Sequence, residues 1–180
     1  MPSNKSRLYI ALYVRGGQPK MAGKEDTYHW ALIVGPKVET KESRGKRYHA
    51  KERFKQGEEG SEWYFEEVDI PVAPANMILV RILVAKTEDE SRLAKILRET
   101  TIRQGEPGWN CVSWVKEALE RLEKDGKVLG TSMTDWGKVR DTAMDYCQKK
   151  KDEHRFDDKG SFDMRRVATY DLIESKETIP

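Results

Sequence analysis

Three residues of the chain have the types and spacing of a thiol catalytic centre: Cys111, His29 and His49. Cys111 falls at the first position of a predicted helix, with Asn110 as its cap. A helix start carries unpaired N–H groups and about half a positive charge, and both favour thiolate over thiol. A lowered thiol pKa is what makes a cysteine nucleophilic near neutral pH. The same N–H groups can stabilise an oxyanion formed beside the sulfur. The competing reading of Cys111 is a small buried apolar residue at a helix start. A thiolate also needs a base, and the sequence has three histidines. His29 interrupts an apolar strand, YHWALIVG, either as that base or as a hydrogen-bonded core residue. His49, in RYHAKE, falls on the next strand, where antiparallel pairing would bring it close enough to orient the His29 ring. His154 lies in KKKDEHRFDDK and is expected in solvent. Cys147 is expected in the core.

These residues must be positioned by a domain of ordinary size. With 180 residues, five Trp, seven Tyr and four Phe, the chain can bury a core. Residues 7–14 alternate as a strand, 16–26 form a Gly- and Pro-containing loop, and Thr27 to Val34 form a second strand. Further strands are predicted at Arg47 to Lys51, Trp63 to Ile70 and Met77 to Ala85. Thr87 followed by Glu90 reads as a capping box opening a helix with Leu93, Ile96 and Leu97 on its apolar stripe. A second helix starts near Asn110 with Val112, Val115, Leu119 and Leu122 inward. A third starts at Thr134 or Asp135, carrying Val139, Ala143 and Tyr146 or Cys147. Strands first and helices after predict an α+β fold, an antiparallel sheet with helices on one side. A single domain, 1–180, is expected, with a charged, mobile segment at about 149–160.

Composition excludes several classes. The net charge is +2, from 33 basic and 31 acidic residues, interspersed rather than gathered into the basic face of a nucleic-acid binder. The longest apolar runs, Met77 to Val80 and Ile82 to Ala85, fall far short of the ~20 residues a bilayer span needs, so no integral membrane segment is expected. Two cysteines make no disulfide framework, which favours an intracellular, cytoplasmic setting. A Cys2His2 metal site would need close ligand pairs that the spacing does not offer; no metal and no cofactor are called for.

The order YHWALIVG, then YHA, then NCVSWVKEAL resembles the NlpC/P60 superfamily in its circularly permuted papain-like form. It is most like the lecithin:retinol acyltransferase-like thiol enzymes, over about residues 7–124. The resemblance implies a permuted papain-like topology, His29 as base, His49 as polar third residue and Asn110-Cys111 as the nucleophile motif. It departs in the 20-residue interval between the histidines and in the serine of NCVSWV. The implied activity is covalent catalysis through a thioester. The substrate is a small molecule, peptide or protein with a carbonyl centre, and hydrolysis of an amide in a soluble substrate is preferred. Soluble acyl transfer, thioester hydrolysis and a non-catalytic binding module are the alternatives. Tyr28 is a candidate oxyanion donor, and Trp109, with Trp30 and Trp114, a candidate wall of the cleft.

Overall fold

The computed structural model describes residues 4–75 and 77–180. Its centre is an eight-stranded sheet. The first five strands are β1 (Arg7–Val14), β2 (Tyr28–Gly35), β3 (Arg44–Phe54), β4 (Ser61–Pro71) and β5 (Ile78–Thr87). They are followed by α1 (Glu90–Arg98), α2 (Cys111–Asp125), β6 (Leu129–Ser132), α3 (Trp136–Asp152), β7 (Ala168–Asp171) and β8 (Lys176–Ile179). The strand order is β4-β3-β2-β1-β5-β7-β8, with β6 paired to β5 off this path.

The fold is α+β, but the sheet is mixed rather than antiparallel, because β5 and β7 run parallel, Val80 opposite Ala168. A parallel neighbour requires a crossover of a dozen residues or more. Here all three helices lie in the crossover. The strands β6 and β7, each after a helix, and β8, which pairs back on β7, were not predicted; each is four residues long, too short for an alternation to register. The first helix also starts later than the Thr87 capping box requires. Thr87 is still a β5 residue, and the Asp89 side chain caps by accepting from the Arg92 N–H at 2.9 Å.

The alternation along β1 and β2 sorts their side chains onto two faces. Leu8, Ile10 and Leu12, with Trp30, Leu32 and Val34, join the main core, where Leu93, Leu97, Val112, Val115, Leu119, Leu122, Val139 and Ala143 arrive from all three helices. Tyr9, Ala11, Tyr13, Ala31 and Ile33 form a smaller cluster on the opposite face, which receives no helix residue. The helices therefore cover one side, as expected. Within the charged segment 149–160, two cations are buried and partnered. Lys150 reaches Glu153 and Glu177 at 2.6 Å each, and the Arg155 guanidinium donates to the Arg166 carbonyl at 2.9 Å. Among the described residues no helix is long and apolar enough to cross a membrane.

Candidate active site

The candidate site forms where β2 and β3 part. Their pairing holds from Val34↔Lys46 to Leu32↔Tyr48 and then lapses, although both strands continue. Helix α2 packs on both strands and brings its first residue to the opening. The helix starts there because Asn110 is an efficient cap. Its Oδ1 accepts from the Val112 N–H at 2.9 Å and the Ser113 N–H at 3.4 Å, and Ser113 Oγ accepts from the Asn110 N–H in return. The Asn110 amide nitrogen donates to the Met21 sulfur at 3.4 Å. Asn110 is thus occupied as a cap, and two of the helix's free N–H groups are taken by its side chain.

Cys111 is fully buried. Its sulfur receives a main-chain hydrogen bond from Trp30, the residue after His29, and Arg15 Nη1 lies 3.9 Å from it. Burial pushes the thiol pKa up, and it outweighs the opposing pull of the Trp30 N–H, the Arg15 charge and the N–H groups of Val112 and Cys111. The expected lowering by the helix start is therefore present but outmatched, and in this closed arrangement Cys111 is a thiol.

The two histidines, expected near each other on neighbouring strands, meet just beyond the last paired residues of β2 and β3. His29 Nε2 lies 2.7 Å from His49 Nδ1, with the rings edge to face at 4.9 Å between centroids. The His49 Nε2 in turn lies 2.9 Å from Glu66 Oε1. Glu66 comes from β4, directly opposite His49 in the β3–β4 register. Burial alone would raise the Glu66 carboxyl, but the His49 hydrogen bond and the charges of Lys51 and Arg47 hold it below the usual carboxylate range. Burial pushes His49 down to about 4 against the pull of Glu66. Burial, then repulsion from His49 and the cations Arg15, Arg47 and Lys51, push His29 down to about 3.

These protonation states fix the tautomers. An ionised Glu66 can only accept, so neutral His49 carries its proton on Nε2 and leaves Nδ1 bare. That nitrogen accepts, so neutral His29 carries its proton on Nε2. The free lone pair of the chain is therefore on His29 Nδ1. His29 lies on the strand face away from the helices, with the Tyr13 ring 6.0 Å off. The sulfur reaches the strand through the Trp30 main chain instead, and no hydrogen bond joins Cys111 to His29.

The remaining expected site residues separate from this centre. Tyr28 points to the helix side, where its hydroxyl bonds the Cys147 sulfur; burial and that sulfur raise its pKa. It is not aimed at the Cys111 helix start. Trp30 and Trp114 are wholly buried core residues. Trp109 packs edge to face on Trp63 and lines a cleft with Met21, Val112 and Ser113 beside the start of α2. Cys147 is buried, as expected, and His154 is solvent-facing, 2.7 Å from Asp157. Among the described residues no three His, Cys, Asp or Glu side chains gather as a metal site would require.

Two residues of the centre were not foreseen. Glu66 was discoverable, since counting outward from the Lys55–Gly60 turn pairs it with His49. Arg15 carries no sequence signal beyond its place in the loop after β1. No curated protein and no solved structure matches the chain. Residues 5–179 match one family along nearly the whole length, and the chain belongs to it: a family of unknown function (DUF6914).

Proposed function

We propose that the protein is a thiol-dependent acyl hydrolase of the peptidase or amidase type, with Cys111 as nucleophile and His29 as base. The observation that carries this reading is the hydrogen-bonded chain His29–His49–Glu66, which leaves a lone pair on a ring adjacent in sequence to the main chain that holds the Cys111 sulfur. A half-buried imidazole held in one tautomer by a second ring and a carboxylate is the arrangement a general base needs. The resemblance to the lecithin:retinol acyltransferase-like thiol enzymes supports the same assignment.

The chemistry follows from the protonation states. The closed site holds neutral thiol and neutral imidazole, so the ion pair forms when the Arg15 loop opens and the sulfur is rehydrated or faces substrate. Gly16 and Gly17 follow Arg15 with nothing within 4 Å of where a Cβ would sit, and Gly17 takes φ 87°, a conformation glycine adopts without strain. Because the sulfur and the ring are not in contact, the thiol proton reaches His29 Nδ1 through water admitted at the opened site, and the sulfur attacks the carbonyl carbon. The C–N bond breaks, the amine leaves with the proton from His29, and a thioester remains. Water then gives its proton to His29 and its hydroxyl to the carbonyl, releasing the acid as the thiolate takes the proton back.

One observation favours a second reading, a binding module with an inert core thiol: Cys111 is fully buried and its pKa is raised, as for Cys147. That likeness makes the two sulfurs each other's control. Timed iodoacetamide labelling with mass spectrometry at neutral pH should modify Cys111 much faster than Cys147. His29→Ala should slow Cys111 alone. An acyl or peptide activity probe should label the wild-type chain but not Cys111→Ala. Slow, equal labelling of both sulfurs, unaffected by His29→Ala, would establish the inert module instead.

A further inference from the structure

Beside Arg15, at the end of the sheet where β1 finishes and β2 begins, lies a cavity of about 370 Å³. Its walls are apolar: Val14 and Leu79 from the strands, the Tyr28 ring and Phe156. Two cations line it, Arg15 and Lys151. Lys151, in the last turn of α3, rests 4.7 Å over the Tyr28 ring. Arg15 lies over the Cys111 sulfur, with the Asp26 carboxylate as a more distant counter-charge. Neither cation forms a salt bridge among the described residues. The acidic group at the rim, Asp157, is already occupied: His154 Nδ1 lies 2.7 Å from one oxygen and the Lys159 N–H donates to the other at 3.1 Å.

We propose that this cavity is a subsite for a carboxylate-bearing apolar group, held between Arg15 and Lys151, and that it selects substrates carrying such a group. This rests on the reading of Cys111 as the nucleophile for its catalytic meaning, though not for binding itself. The size suits a small ligand group, and apolar walls with a few converging charges are the usual composition of such a site. A guanidinium can grip a carboxylate through two parallel hydrogen bonds, which the weakly interacting sulfur cannot match. Because Arg15 touches the sulfur and lines the cavity at once, a carboxylate bound in the cavity competes with the sulfur for its guanidinium. Occupancy of the subsite and the charge beside the nucleophile are thereby coupled, and a substrate lacking the anion leaves Arg15 on the sulfur.

Calorimetric titration of the full chain with hexanoate and with hexanamide tests the subsite without requiring turnover. The two probes share their apolar part and differ in charge. Hexanoate should bind about tenfold more tightly than hexanamide, one charge-assisted pair's worth. Added salt should erode the preference. Lys151→Met and Arg15→Gln should each reduce it several-fold, while Cys111→Ala should keep it. Equal binding of the two probes, or a preference untouched by both cation variants, overturns the subsite. Iodoacetamide labelling of Cys111 then reports separately on the catalytic reading: fast, His29-dependent labelling with no hexanoate preference removes the subsite and leaves the nucleophile.

Discussion

Acid should unfold this protein through two histidines before it does so through its carboxylates. His29 and His49 are held neutral in the fold, at about 3 and about 4, whereas an unfolded chain titrates its imidazoles near 6.5. Both folded values are lowered, so the stability these rings contribute is present above pH 6.5 and is lost as the pH falls below it. Between pH 7 and pH 5 the unfolded chain takes up nearly one proton at each ring that the folded chain refuses. Integrating that difference gives about 2 kcal/mol per ring, or about 4 kcal/mol for the pair. Asp26, Glu66 and Glu177 have lowered folded values too, but as carboxylates they withdraw their contribution mainly below about pH 4.5. The window from pH 7 to 5 thus isolates the rings. Urea unfolding followed by tryptophan fluorescence at pH 7, 6 and 5 measures it. His29→Gln, which can still donate to His49, should reduce the loss to about 2 kcal/mol. The slope with pH is the readout, so a general change in stability does not blur it. A wild-type loss below about 1 kcal/mol, or an unchanged slope in His29→Gln, would refute the neutral-pair description and the tautomers derived from it.

Three further perturbations probe how the centre is held. Asn110→Ala removes both cap bonds at the start of α2 and should cost about 1 kcal/mol, a fall in melting temperature of roughly 2–4 °C by calorimetry. Gly45→Ala would place a Cβ 2.6 Å from the Val34 carbonyl oxygen across the β2–β3 pair; the strands must separate, at about 2 kcal/mol in urea unfolding. The same change should flatten the pH slope by shifting His49 off His29. Lys150→Ala leaves the Glu177 carboxylate with the Tyr146 hydroxyl, 2.7 Å away, as its remaining partner. Lys150 is buried but Glu177 is about a quarter exposed, so the loss should cost about 1–2 kcal/mol, measured by the same unfolding curves.

Much of this centre was legible because strand registers are set by local counting. The alternation of Leu8, Ile10 and Leu12 placed β1, and the order of the two histidine strands predicted the pairing that joins His29 to His49. The Asn110 cap was readable because capping is a short-range interaction. The parallel β5–β7 pairing was not, since residues 168–171 offer four positions and join a strand some eighty residues earlier. Nor was Arg15, whose position over the sulfur depends on how an exposed loop closes.

The sharpest divergence concerns Cys111 itself, and its cause is physical. A helix start favours a thiolate through N–H groups and a partial charge, which the sequence does locate. Whether that preference prevails depends on how much water the sulfur loses, and desolvation is set by everything packed around it. With the sulfur fully buried, the loss of solvent wins and the pKa rises. The helix start and the Trp30 N–H act in the same direction with or without water, whereas the Arg15 charge leaves if its loop opens, so restoring solvent or substrate to the sulfur removes the opposing contribution and leaves the N–H groups. The packing around the sulfur is therefore the variable on which the thiol's pKa turns. A thiol whose pKa is raised by burial, rather than by a neighbouring negative charge, is one whose pKa falls when solvent returns.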